Sequence, residues 1–191
     1  MFRRKEDTIS PEEYLALEET AEDRSEYYRG EIFAMSGASV NHNRIAKNTV
    51  TGLDTAFAGK PCEAFITDMR LLVRPNGLYT YPDVMVVCGP LQFAPDRDDT
   101  LTNPTVIFEV LSKSTEGYDR GAKFELYRAL ESLQDYVLVD QYKIHVEHFH
   151  RLDDGRWILQ EFNQLEATLH LETVDATLPL EHIYRNVTWE E

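Results

Sequence analysis

Hydrophobic and polar positions divide the chain into short apolar runs separated by segments of helical periodicity. The densest run lies in Pro104–Thr115, P-T-V-I-F-E-V-L-S-K-S-T, whose Val, Ile, Phe, Val and Leu suit a strand buried on both faces. A second run, Val84-Met85-Val86-Val87-Cys88, follows Pro82-Asp83, and a third, D-Y-V-L-V-D at Asp135–Asp140, has the same character. Ser10-Pro11-Glu12-Glu13 predicts a helix start: Ser10 as N-cap, Pro11 in the first turn and Glu13 closing a capping box. Tyr14, Leu15 and Leu17 continue that helix as an apolar stripe to about Thr20. Two β-prone runs around Arg29-Gly30 predict a hairpin, in which Glu26 either pairs with a helix cation or faces water. Ile45, Thr49, Leu53 and Phe57 recur every four residues, predicting a helix over 40–57 that stops near Gly59 and carries His42 in its first turn.

Residues 63–74 alternate as a strand, turn at Pro75-Asn76-Gly77, and return through Tyr79-Thr80-Tyr81 into Pro82-Asp83. Residues 89–103 predict a long surface loop. A helix follows over about 117–131, with Phe124, Tyr127 and Leu130 as its buried stripe. Residues 143–150 and 156–163 form a hairpin whose Asp153-Asp154-Gly155 reads as a type I′ turn, and a short helix closes the chain near 180–184. Residues 1–7 read as a flexible tail ahead of one domain over 8–191. Helices alternating with buried strands make the fold α/β: a three-layer α/β/α sandwich.

Composition adds three constraints. At 191 residues and 42% hydrophobic, the chain can bury most of its unfolded surface in one core. No apolar run reaches the length of a membrane span, and no apolar segment follows the basic Met1-Phe2-Arg3-Arg4-Lys5, so neither a membrane nor a signal peptide is expected. Cys62 and Cys88 stand alone, which suits buried thiols in a reducing compartment and makes the cytoplasm the default location. The balance of 34 acids against 19 bases, a net charge of −15, opposes a broad phosphate-binding surface, although a local patch can exist on an acidic protein. Arg44, Lys47 and Lys60 make the 40–57 region the best candidate for one.

The candidate chemistry rests on acids within apolar strands. An ionised carboxylate at Glu109 would cost several kcal/mol in a dry strand unless compensated. Asp83 beside a neighbouring strand would give a carboxylate pair, the hard oxygen donors that Mg²⁺ takes. Such a pair with a nearby lysine suits phosphodiester hydrolysis.

Pro82-Asp83, the phrase Glu109-Val110-Leu111-Ser112-Lys113-Ser114-Thr115, and then Asp119, Lys123 and Tyr127 resemble the PD-(D/E)xK nuclease superfamily, and within it the bacterial Uma family of restriction-endonuclease-like proteins. The likeness extends from about Thr8 to Tyr184 and takes in Glu26, Gly30, His42 and Asp68. It implies a restriction-endonuclease-like fold, with a central mixed sheet between helices and a site where two strands part. It implies a Mg²⁺- or Mn²⁺-dependent endonuclease acting on nucleic acid, DNA foremost; a homodimer is expected because two-fold symmetry in the protein would match that of a duplex cut on both strands. Asp83 and Glu109 would bind metal, and Glu26, His42, Asp68 and Tyr127 would support them. The superfamily lysine, two residues after the strand acid, is here Leu111; Lys123 is the substitute that the resemblance implies, with Lys113 as the alternative. The competing expectation is a non-catalytic, dimeric interaction module in which an apolar side chain such as Leu111 plugs the site.

Overall fold

The structure, a computed structural model, describes residues 8–35 and 37–189. The expected tail at 1–7 lies outside the described residues. Helix α1 (Pro11–Glu18) starts as its sequence dictates: the Ser10 hydroxyl accepts from the Glu13 N–H at 3.2 Å, and the Glu13 carboxylate accepts from the Ser10 N–H at 2.7 Å. Its buried face is Tyr14 and Glu18, not the expected Leu15 and Leu17; Leu17 points to solvent. The hairpin β1 (Ser25–Tyr28) to β2 (Glu31–Ala34) turns through Arg29 and Gly30, both at positive φ, the geometry that matches the twist of paired strands. Helix α2 (Val40–Ala56) is capped by Ser39 and ends before Gly59, which has φ +79°.

Next come β3 (Cys62–Ile66), β4 (Arg70–Val73), β5 (Leu78–Thr80), β6 (Val84–Cys88), β7 (Thr100–Leu101) and β8 (Val106–Leu111). A continuous helical segment then runs from α3 (Glu116–Tyr118) through a π-helical turn (Asp119–Lys123) into α4 (Phe124–Tyr127). It stops four residues short of the expected end, because Ala129 and Leu130 bond three residues back and tighten the last turn. The chain continues with β9 (Asp135–Asp140), β10 (Val146–Arg151), β11 (Trp157–Phe162), β12 (Thr168–Leu171), β13 (Ala176–Pro179) and α5 (Leu180–Ile183).

The central sheet is mixed, in the order β11-β10-β9-β8-β6-β3, with β8 and β9 parallel and every other pair antiparallel. Alternation along β8 divides its side chains. Val106, Phe108 and Val110 face a core built with Ile45 and Leu53 of α2 and Ile183 of α5; Ile107 and Leu111 face a second core containing Phe124 and Tyr127 of α4. Each fully buried Leu, Ile or Phe contributes about 1.5–3 kcal/mol, so both faces of the sheet must be covered, and helices on each side cover them. The architecture is the expected α/β/α sandwich.

A second sheet, β2-β1-β5-β4-β7, completes the second core with Leu71, Val73 and Leu78. Residues 62–88 explain how the two sheets join. In sequence they read as one long hairpin, but both of its arms change sheet: β3 pairs with β6 in the central sheet and β4 with β5 in the other. The breaks fall at Thr67–Met69 in one arm and at Tyr81–Asp83 in the other.

Three expectations are corrected here. The stretch 89–103 is not wholly loop, since Thr100-Leu101 pairs parallel with β4 as the edge of the second sheet and is buried; two residues are too short to show a period. Asp153-Asp154-Gly155 is not a type I′ turn. Only Gly155 has positive φ, and the Gly155 N–H bonds to the Leu152 carbonyl, giving a type I turn followed by a left-handed glycine. Cys62 and Cys88 are not thiols but a disulfide, because the β3–β6 register sets them directly opposite one another, a pairing that spacing along the chain does not reveal. Among the described residues no helix is long and apolar enough to cross a membrane.

Candidate active site

Glu109 occupies the middle of β8, on the face toward α4, and is almost fully buried. The register Val84↔Phe108 between β6 and β8 would make Asp83↔Glu109 the next rung of the ladder. That rung is made by side chains instead. The Asp83 N–H points to Glu109 Oε2 at 3.4 Å, and the Val110 N–H donates to Asp83 Oδ2 at 2.7 Å. Pro82 and the change of sheet end β6 here, freeing backbone donors that the two carboxylates take up.

The helical segment delivers the cation. Lys123 Nζ lies 2.9 Å from Glu109 Oε1, 2.9 Å from Glu26 Oε1 and 3.8 Å from Asp119 Oδ1. Lys123 is the last residue of the π-helical turn, and such turns, which insert one residue into a helix and re-aim those after it, occur often at functional sites. One turn later the Tyr127 hydroxyl donates to Glu109 Oε1 at 2.8 Å. Glu26 arrives from β1 of the second sheet and accepts from the Thr80 hydroxyl at 2.6 Å. His42, in the first turn of α2, places Nε2 3.1 Å from Asp83 Oδ2, while its Nδ1 is buried without a hydrogen-bond partner.

Leu111, in the superfamily's lysine position, does not plug this arrangement. It packs into the apolar core below Glu109, and a cleft of about 930 Å³ opens over the carboxylates. Lys113 lies exposed on the cleft wall with its ammonium 5.2 Å from the centre of the Tyr142 ring, and does not reach the carboxylates. Arg44, Lys47 and Lys60 do not line the cleft, and Lys60 pairs with Asp175.

The electrostatics follow from a shortage of positive charge. Glu26, Asp83, Glu109 and Asp119 are all buried around one ammonium. Burial raises the Glu109 carboxyl to about 8; Lys123 opposes the shift, while Asp83 and Asp119 reinforce it. Burial also raises Asp119, against the pull of Lys123. Burial disfavours the Lys123 charge, yet Glu109, Glu26 and Asp119 hold its pKa well above the ordinary lysine value. Burial and the neighbouring Glu109 keep the Tyr127 phenol protonated, as a donor. Several carboxylate oxygens, an excess of negative charge and an opening to solvent are what a hard divalent cation requires, so the residues fit Mg²⁺ or Mn²⁺.

Of the residues singled out from sequence, Glu26, His42, Asp83, Glu109, Lys123 and Tyr127 meet here. Asp68 does not. It sits in the turn between β3 and β4, its side chain 83% exposed and paired with Arg24 at 3.6 Å. Thr80 was not anticipated; Asp119, which the resemblance includes, is buried on the face it shares with Lys123 and Tyr127. The i,i+4 spacing of Asp119 and Lys123 was a visible signal for Asp119, but it reads equally well as a surface pair.

Comparison with known proteins agrees with this fold. A family profile described as "Uma2: Putative restriction endonuclease" matches residues 11–181. Uncharacterized protein slr1290 of Synechocystis is 38% identical over 183 residues, covering 95% of this chain and 94% of its own. Uncharacterized protein sll1609 of the same organism is 40% identical over 153 residues, covering 80% and 86%. The crystal structure of "a putative nuclease belonging to DUF820" from Anabaena variabilis superposes with a TM-score of 0.73 at 17% identity, over 92% of this chain and 97% of that one.

Proposed function

Since the chain belongs to the Uma2 family, we propose that it is a Mg²⁺- or Mn²⁺-dependent endonuclease that hydrolyses phosphodiester bonds in DNA. The observation that carries this reading is Lys123. An ammonium from a different element stands 2.9 Å from the strand carboxylate and restores the charge that Leu111 cannot supply. Asp83 and Glu109 would hold the cation, with Asp119 and Glu26 adding negative charge around them. When bound, the cation supplies a more acidic water and neutralises charge on the phosphate.

The remaining work belongs to the chain. Tyr127 and the Asp83 N–H fix the two oxygens of Glu109, and the Val110 N–H and His42 fix Asp83. Lys123 donates to a non-bridging phosphate oxygen as negative charge grows there, while water oxygen bonds to phosphorus and gives up a proton to solvent, the ester P–O bond breaks, and the leaving oxygen takes a proton from solvent. That leaves one phosphate monoester and one hydroxyl. The open cleft above Leu111 supports catalysis over a non-catalytic interaction module. A homodimer would suit cutting of both strands, because two-fold symmetry in the protein matches that of a duplex.

The test is cleavage of supercoiled plasmid and of single-stranded DNA, at low salt, with Mg²⁺ and then Mn²⁺, beside Asp83→Asn and Lys123→Ala. We expect metal-dependent cutting that either substitution lowers by roughly 10²–10³. A wild-type protein that neither cuts these substrates nor binds either metal would overturn the reading.

A further inference from the structure

A second constellation of ligand-type side chains lies on the opposite face of the central sheet. His148 and His150 are two residues apart on β10, so both project from one face. The register places Asp135, the first residue of β9, directly opposite His150. Both rings aim at one oxygen: His148 Nε2 lies 2.7 Å and His150 Nδ1 2.8 Å from Asp135 Oδ1. The second oxygen, Oδ2, is buried with no hydrogen-bond partner; Thr173 stands near enough to favour the anion but does not bond this atom. Asp135 is fully buried and His148 nearly so, while the His150 side chain is 30% exposed.

This cluster is separate from the nuclease site. Asp135 pairs with Val106 across the parallel β8–β9 ladder, whereas Glu109 pairs with Leu138, three rungs further on. Odd and even positions of β9 face opposite cores, with Val137 and Val139 in one and Tyr136 and Leu138 in the other, so Asp135 faces the α2 side. Nothing in the phosphodiester chemistry uses it.

We propose that Asp135, His148 and His150 form a second metal site, selective for Zn²⁺ or a similar first-row transition ion over Mg²⁺. One ligand atom from each of the three lies within 4.8 Å of the other two, a separation that a single ion can span. Two imidazoles with one carboxylate suit such an ion, whereas Mg²⁺ keeps to oxygen donors and water. The orphaned Asp135 Oδ2 is a buried acceptor that this chain leaves unused and a cation can take. The exposed edge of His150 gives the ion a way in and leaves a coordination position for water. Each imidazole donates its N–H to Asp135 when neutral; on binding, that proton moves to the other ring nitrogen and the freed lone pair turns to the metal. The ion would then join β9 to β10 beyond their backbone hydrogen bonds.

The test uses chelator-treated full-length protein, checked for folding by circular dichroism and titrated with Co²⁺ by absorbance and with Zn²⁺ by calorimetry. With excess Mg²⁺ present to occupy the carboxylate site, we expect one tightly bound equivalent in the wild type and the same in Glu109→Gln, whose substitution lies in the other site. In His150→Ala, changed at the most exposed ligand, affinity should fall by more than roughly 100-fold, since loss of a supporting partner alone costs 10–100-fold. In parallel, imidazole nitrogen resonances of the wild type should move for His148 and His150 on adding Zn²⁺ and stay fixed on adding Mg²⁺. Unmoved resonances, or Co²⁺ bound as tightly by folded His150→Ala as by the wild type, would overturn the site. Because Glu109→Gln reports on the nuclease centre alone, failure of either assignment leaves the other intact.

Discussion

Glu109 accepts from a phenol, an ammonium and a backbone N–H while sharing its pocket with three other acids. With its pKa raised to about 8 against an ordinary 4.5, the folded protein holds a proton that the unfolded chain releases between those values. Stability from this group is therefore full below about pH 4.5 and is lost as pH climbs toward 8. Glu109→Gln should flatten that fall, as urea melts at pH 5, 6.5 and 8 will show. Metal binding must displace the same proton, so Mg²⁺ affinity should rise with pH up to about 8 in calorimetry. A pH-independent affinity would contradict the proposed role of Glu109 as a ligand. Glu109 and Asp83 were legible in the sequence because an acid inside an apolar run, or at the edge of one, is a local anomaly. Asp68 was misplaced because an acid near a strand start looks the same whether it faces a cleft or solvent.

At the level of elements, the capped start of α1, the Arg29-Gly30 hairpin and α2 follow from signals within a few residues. The disulfide, β7 and the change of sheet depend on partners far along the chain and left no local trace. Two glycines separate packing from propensity. A Cβ at Gly52 in α2 would sit 2.6 Å from Leu178 Cδ2, a side chain locked in the core under α5. Gly52→Ala should therefore destabilise by about 1–3 kcal/mol. Gly121, in the π-helical turn, has nothing within 4 Å, so Gly121→Ala should stabilise by about 0.4–1 kcal/mol through the unfolded chain. Thermal melts of the pair decide this, and matching signs would refute it. The Cys62–Cys88 bond closes a 26-residue separation between β3 and β6. Neither cysteine should alkylate in native protein without reductant, and reduction should cost about 2–4 kcal/mol in denaturant melts.

Across the whole molecule the net charge of −15 surrounds a cleft whose only lining cations, among the described residues, are Lys113 and Lys123. Binding of DNA should then release few counterions, and log K against log salt should fall with a slope of about −2. A slope several times steeper, by fluorescence anisotropy, would require a basic surface elsewhere. Light scattering at twice the chain mass would support the proposed homodimer, and a monomer at working concentration would count against it. The sandwich was legible because its strands are buried on both faces. The second sheet was not, because its strands are short and share their hydrophobic pattern with the ends of longer ones.

The side-chain rung between Asp83 and Glu109 also acts as a check on assembly. A one-residue slip of β6 against β8 would turn every apolar side chain of one strand to the wrong face, and folding energetics would reject it. A two-residue slip keeps the faces correct and escapes that penalty, but it sets Asp83 opposite Ile107 or Leu111, leaving a buried acid against hydrocarbon and no rung at all. The carboxylates thus police the misalignment that hydrophobicity overlooks, and a molecule with a working site has, by construction, its strands in the right place.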